Sequence, residues 1–152
     1  YGGIRAELSG FDESLNEERW YGWSYLIPST WTYAEPTVKI FQIHDRADTN
    51  ENGIRHPTLQ VVVTSSGSIE VWNAYDSDLV TTPPDVSPRP NIDYSFRKLA
   101  AWRVVPDMWS TIVINARWAS DDTGFLSIWK DGALMFTESN HINTYNDERG
   151  VW

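Results

Sequence analysis

Apolar and aromatic residues recur along the chain in short alternating runs that predict β-strands. These runs are rich in β-branched and aromatic side chains, and Gly, Pro, Asn or Asp separates them. No segment shows a sustained helical period. Asp131-Gly132 predicts a tight hairpin turn, and Ser65-Ser66-Gly67 predicts a second one. The predicted strands cover residues 19–28, 38–44, 59–64, 68–74 and 109–118, together with a hairpin over 124–136.

Short strands at this spacing are typical of an antiparallel sandwich. We therefore predict an all-β fold, an antiparallel β-sandwich of the jelly-roll type with a concave groove. The polar stretches 10–18 and 45–57 are predicted loops, and the proline-rich stretch 81–95 is predicted to leave the sheets. No internal repeat or linker divides the chain, so residues 1–152 are predicted to form one domain.

Charge and composition exclude several classes of function. The chain has 152 residues with a net charge of −9, which argues against a nucleic-acid partner because phosphate contacts need clustered Lys and Arg. It has no cysteine, which excludes disulfides and thiolate chemistry. No apolar run approaches the ~18 residues that a membrane span needs. The spacing of Asp45, Asp48, Asn50 and Asn52 does not fit a calcium loop, so we predict no metal and no cofactor.

Two segments each place a pair of polar side chains on one face of a predicted strand. Side chains two residues apart share a face, so Arg5 lies beside Glu7 and Gln42 beside His44. The two pairs either form an ordinary solvated face or converge in a site on the concave side. On strict alternation, one face of the second strand carries Ile40, Gln42 and His44, and the other carries Lys39, Phe41 and Ile43.

RAEL at 5–8 and QIH at 42–44 resemble the paired signature of jelly-roll polysaccharide lyases of the alginate lyase type. ERWYGWSYLIPSTW, GFLSIWKDGALMF and NTYNDERGVW extend the resemblance to the heparin lyase I-like and glucuronan lyase group, over nearly the whole chain. The resemblance implies β-elimination on an anionic, uronic-acid-containing polysaccharide by a secreted protein. Such a reaction needs donors for the charge that develops on the uronate, a base for the C5 proton and an acid for the leaving oxygen.

The resemblance also implies roles for particular residues. Arg5 and Gln42 would neutralise the carboxylate, and His44 would act as the base or assist it. A tyrosine, with Tyr145 the nearest candidate, would act as the acid. Glu7 would anchor Arg5. The further candidates for substrate binding are Lys39, Arg46, His56 and Asn143, and Arg55, Arg97 and Lys130 are either further cations for the polymer or solvated surface charges.

The sequence departs from these lyases at its end. They usually continue into a strand of the form Y-x-K-x-G-x-Y, whereas this sequence stops at Trp152. A truncated chain, a strand donated by a neighbouring subunit in an oligomer, or the use of a different tyrosine would each account for the difference. The alternative function is a non-catalytic carbohydrate-binding or structural module. No E-x-D-x-x-E pattern supports a retaining glucanase.

Overall fold

Two antiparallel four-stranded sheets make up the regular structure of the protein. The computed structural model describes residues 10, 13–32, 37–48, 51, 55–81, 94–148 and 150–151. The first sheet has the order β1 (Glu18–Leu26), β6 (Trp109–Arg117), β7 (Phe125–Lys130) and β8 (Ala133–Ser139). The second has the order β2 (Val38–Ile43), β3 (Leu59–Val63), β4 (Ser68–Tyr75) and β5 (Ser95–Arg103). Each neighbouring pair is antiparallel, which confirms the all-β prediction.

The predicted strands and both predicted hairpins are confirmed, with small differences at the strand ends. Asp131 and Gly132 have φ values of 49° and 80° and connect β7 to β8. Gly67, with φ 73°, lies in the turn between β3 and β4. These positive φ values explain why residues that tolerate the left-handed region occupy both turns. Within the described ranges there is no helix that could cross a membrane.

Strand β5 is absent from the sequence prediction, which assigned the proline-rich excursion to residues 81–95 and no strand between residues 95 and 109. The reason is a bulge against β4. Val71 pairs with Ala100 and Trp72 with Lys98, so Leu99 has no partner of its own. An unpaired residue shifts the alternation of polar and apolar side chains by one position. The period-2 signal of this strand is therefore broken in its middle.

The core lies between the two sheets. Every second residue of β3 points inward and is at most 2% exposed. The inward side chains of β6 and β7 and the indole of Trp118 meet them from the first sheet. Such burial is worth about 1.5–3 kcal/mol for each large aliphatic side chain. The second sheet contributes only one of its two sides to this core.

Candidate functional site

The second sheet carries a row of polar and aromatic side chains on the side that faces away from the core. The inward-pointing residues of β3 alternate with Gln60 and Val62, which therefore lie on the outward side. Cross-strand pairing extends this row to the neighbouring strands. We call this side the open face, and its central row runs across the sheet as Gln42, Gln60, Trp72 and Lys98.

A bulge in β2 changes which residues reach the open face. Lys39 pairs with Val62 and Phe41 with Val61, so Ile40 has no partner of its own. Lys39 consequently lies on the side of Val62, while Ile40 packs against the core. The prediction from strict alternation was wrong for these two residues. The bulge brings a cation to the same side as Gln42.

His44 follows the last residue of β2 and lies at the edge of the open face. Its side chain is half-buried, and Nδ1 lies 3.0 Å from the backbone oxygen of Asp45 and 3.3 Å from Oδ1 of the Asp45 carboxylate. The Asp45 side chain raises the pKa of His44, and burial and the charge of Lys39 only partly oppose this effect. With a proton on Nδ1, Nε2 becomes the basic nitrogen of the ring.

His56 belongs to a stack of rings on the open face. Its ring lies 4.1 Å from Phe96, and Phe96 lies 4.8 Å from Trp72, in both cases with nearly parallel planes. Tyr94 accepts a bond from the His56 amide at 3.1 Å and lies 2.6 Å from its Nδ1. Burial and the charge of Lys39 lower the pKa of His56. The structure thus places His56 near the open face in an aromatic cluster, where its surroundings favour the neutral form of the ring.

A buried charge cluster adjoins His44 through Asp45. We call the four side chains Asp45, Glu51, Arg55 and Asp147 the Arg55 cluster. Each of them is at most 3% exposed. The guanidinium contacts all three carboxylates, with Nη1 at 2.8 Å from Glu51, and it also lies 4.2 Å above the ring of Tyr145. Arg55 is therefore neither a solvated surface charge nor a cation available to a polymer.

The Arg55 cluster holds more carboxylates than it can keep ionised. Burial raises the pKa of Asp147 to about 7, against the opposing effect of Arg55, and the neighbouring carboxyls of Asp45 and Glu51 act in the same direction as burial. Burial would also raise the pKa of Asp45, but the interaction with His44 and the charge of Arg55 outweigh it and lower that pKa. At neutral pH the cluster thus retains a proton on Asp147 for part of the time.

This retained proton predicts an unusual dependence of stability on pH. The pKa of Asp147 is about 7 in the folded chain, above its ordinary value of 3.8, so between these values the folded state binds more protons than the unfolded state. Stability must then fall as the pH rises through this window. We expect urea unfolding to give a lower free energy at about pH 8 than at about pH 5. In Asp147→Asn the slope should be flatter, and an equal slope in both proteins would contradict the assignment.

Two of the predicted site residues have structural roles. Tyr145 is fully buried, its hydroxyl donates to the His56 carbonyl at 3.0 Å, and burial raises its pKa. This placement argues against Tyr145 as the acid. Asn143 is also buried, and its amide donates to the Arg117 and Phe125 carbonyls at 2.9 Å. Asn143 thus connects the end of β6 to the start of β7. Its side chain is buried and does not lie on a binding surface.

The remaining predicted residues are placed as follows. Arg46 is exposed, and its backbone amide donates to the Gly150 carbonyl at 3.3 Å. Asp45 next to it forms a β-bridge with Val151, which also bridges Glu13. The end of the described chain is thereby fixed beside His44. Arg5 and Glu7 lie outside the described residues, so their convergence with His44 stays a prediction.

Comparison with known proteins identifies the family. The sequence profile of the family described as "Polysaccharide lyase" matches residues 2–152. The chain belongs to the polysaccharide lyase family. This result confirms the resemblance noted from the RAEL and QIH segments. A search of curated proteins gave no match.

Among solved structures, this polysaccharide lyase family member is similar to the crystal structure of endo-β-1,4-glucuronan lyase from the fungus Trichoderma reesei. The two share 22% sequence identity and a TM-score of 0.70. The match covers 93% of this chain but only 56% of the fungal chain, so this chain spans little more than half the length of that relative. At this identity the likeness establishes the fold, and the predicted jelly-roll sandwich is confirmed.

Sequence reasoning about this polysaccharide lyase family member missed the Arg55 cluster. Asp45 was assessed as a calcium ligand, and Glu51 and Asp147 were not considered. Asp45 and Asp147 are 102 positions apart in the sequence, so no local pattern connects them. One available signal was Asp45 itself, since a carboxylate directly after the Q-x-H segment is a ready partner for the histidine.

Proposed function

We propose that the protein is a lyase that cleaves a uronic-acid-containing, anionic polysaccharide by β-elimination. The observation that carries this proposal is the position of Gln42 on the open face with His44 at its edge. Asp45 lies against Nδ1 of His44, and a proton on Nδ1 makes Nε2 the basic nitrogen of the ring. Membership of the polysaccharide lyase family supports the class of substrate. Because the similar fungal protein is an endo-β-1,4-glucuronan lyase, glucuronan is the first polymer to test.

The reaction needs a donor at the carboxylate and a base at C5. Gln42 can donate its side-chain amide to the uronate carboxylate as negative charge develops there. Nε2 of His44 then takes the C5 proton, the C4–C5 double bond forms and the C4–O bond breaks. Arg5 would share the task of Gln42. It is proposed from the sequence alone.

The proton donor in this proposal is not Tyr145, because its hydroxyl is buried against the His56 carbonyl. When the C5 hydrogen and the leaving oxygen lie on the same face of the sugar ring, one group can serve both. The imidazolium that His44 becomes can then return its proton to the departing oxygen. The raised pKa of His44 suits this second task, because it keeps the ring protonated until the oxygen leaves.

Local charge and ring placement support an anionic polymer despite the acidic surface. Lys39 lies on the open face, and Lys98 lies 5.4 Å over the ring of Trp72 while pairing with Glu70 at 2.9 Å. The side-chain oxygen of Gln60, in the same row, is buried and has no partner among the described residues, so a sugar hydroxyl is a suitable donor for it. In this proposal the substrate is an extracellular polymer and the protein acts outside the cell.

The test is the appearance of unsaturated uronate ends, followed by their ultraviolet absorbance, when the protein is incubated with glucuronan, alginate, heparin or hyaluronan. We expect turnover of one of these polymers and a new absorbance that grows with time. Calorimetry on the same polymers tests the alternative function, which is binding of the polymer without cleavage. Binding without any unsaturated product would contradict the lyase proposal and would indicate a carbohydrate-binding module.

A further inference from the structure

We propose that Asp45 is a positioning residue for His44 and that Arg55 holds Asp45 in place for this role. The inference rests on the proposed function in so far as His44 is taken to be the base. In this arrangement the Asp45 carboxylate and its backbone oxygen share the Nδ1 proton of His44. The ring is thereby kept in one tautomer, and the positive charge that it acquires is stabilised.

The contacts of Asp45 divide cleanly between its two carboxylate oxygens. Oδ2 pairs with the guanidinium of Arg55. Oδ1 is buried, makes no hydrogen bond among the described residues, and lies 3.3 Å from Nδ1 of His44. A buried carboxylate oxygen without a donor is costly, and the Nδ1 proton of His44 is within reach of it. The contact therefore gives the buried Oδ1 of Asp45 a donor and stabilises the proton on Nδ1 of His44.

Two contacts hold Asp45 in place. Its backbone forms a β-bridge with Val151, which fixes the chain just after β2. Arg55 grips its carboxylate and is itself held by Glu51 and Asp147. The two described oxygens near Nδ1 both belong to this one residue, so Asp45 orients the ring from that side. A carboxylate that orients an imidazole and stabilises its charged form is a known catalytic device.

The charge of the cluster favours the same conclusion. Three carboxylates surround one guanidinium, so the cluster carries excess negative charge even when Asp147 keeps a proton. Protonation of His44 reduces this excess. The Asp45 side chain accordingly makes the largest contribution to the raised pKa of His44, while Lys39 on the open face opposes it.

The first test does not depend on turnover. We expect nitrogen NMR of the wild-type protein to show His44 with its proton on Nδ1 above the titration midpoint. In Asp45→Asn the midpoint of the His44 titration should fall by about one pH unit. Asp121→Asn, which alters a carboxylate that accepts bonds from Thr123 in an exposed turn, should leave it unchanged. A proton on Nε2 in the wild type, or an unchanged midpoint in Asp45→Asn, would overturn the proposal.

The second test separates positioning from mere support of the fold. We expect Asp45→Asn to lower kcat about 10- to 100-fold with little change in KM, and to shift the acidic limb of the pH–rate profile by as much as the NMR midpoint. Asp45→Glu should recover part of the loss because it restores the charge. Asp147→Asn removes the charge of another carboxylate that pairs with Arg55. If it reproduced both the loss in kcat and the shift, support of the fold would explain the result and the positioning role would be overturned.

The two tests also distinguish this inference from the proposed function. If the wild-type protein formed no unsaturated product from any polymer, the lyase proposal would fail. The NMR midpoints would still decide whether Asp45 controls His44. The tautomer is read on the wild-type chain, so this measurement stands even if Asp45→Asn does not fold.

Discussion

Replacing His44 with alanine is expected to lower the rate of unsaturated product formation by at least about 100-fold, because the substitution removes the base that takes the C5 proton. The melting temperature should fall only modestly, because the substitution removes the donor that faces the buried Asp45 Oδ1 but leaves the hydrophobic core intact. The His44 side chain is about one-quarter exposed and is not part of the hydrophobic core. Gln42→Ala should give a loss of about 100- to 1,000-fold, because one donor to a developing anion is worth that much. The rates are measured by ultraviolet absorbance on the polymer that the wild-type protein cleaves.

His141 provides a matched control for the His44 variant. Its side chain is 30% exposed, and its ring packs against Tyr75. His141→Ala should therefore leave the rate within about twofold of the wild type. The proposed role of His44 would be contradicted if His44→Ala kept most of its activity. A large drop in the melting temperature of His44→Ala would instead assign the residue to packing.

Replacing Arg55 with methionine is expected to lower the free energy of unfolding by about 3–5 kcal/mol, because it leaves buried carboxylates without a cation. The guanidinium contacts three carboxylates and covers the ring of Tyr145, and methionine restores only the volume of its stem. The loss should be larger at about pH 8 than at about pH 5, since protonation relieves the repulsion among the carboxylates. Urea unfolding at both pH values measures the difference.

Arg97 is the matched control for this substitution. It pairs with Glu138 across the two sheets, and both side chains are more than one-quarter exposed. Partly exposed ion pairs contribute little, so Arg97→Met should cost less than about 1 kcal/mol. Equal losses from Arg55→Met and Arg97→Met would show that the Arg55 cluster is no more important for stability than a surface pair.

The missed strand and the shifted Lys39 have one physical origin. Both follow from bulges, one opposite the Val71–Trp72 step and one between Lys39 and Phe41. A bulge adds one residue to one strand, so the alternation of faces changes beyond it. Sequence periodicity detects regular strands well, as it did for β3 and β6. It does not show where one strand of a pair contains an extra, bulged residue.

The residues of the candidate site, too, could be predicted only in part from the sequence. The Q-x-H segment pointed to Gln42 and His44, because two residues at this spacing share a strand face. Tyr145 and Asn143 appeared equally suitable in the sequence, where both stand in a polar segment near the end of the chain. The fold buries both, because that segment returns to the sheets and bonds with the carbonyls of residues 56, 117 and 125. Burial is a property of the packed chain and cannot be read from a polar segment.

By itself the sequence determined the all-β class, most of the strands, both hairpin turns and the family, since these depend on local alternation, turn residues and short motifs. Only the tertiary structure decided which side Lys39 faces, that Asp45 lies between His44 and Arg55, and that Asp147 joins the cluster from far along the chain. The physical reason is that these features depend on strand register and on contacts between distant segments. Such contacts set the burial and the charge around a side chain, and the local sequence does not encode them.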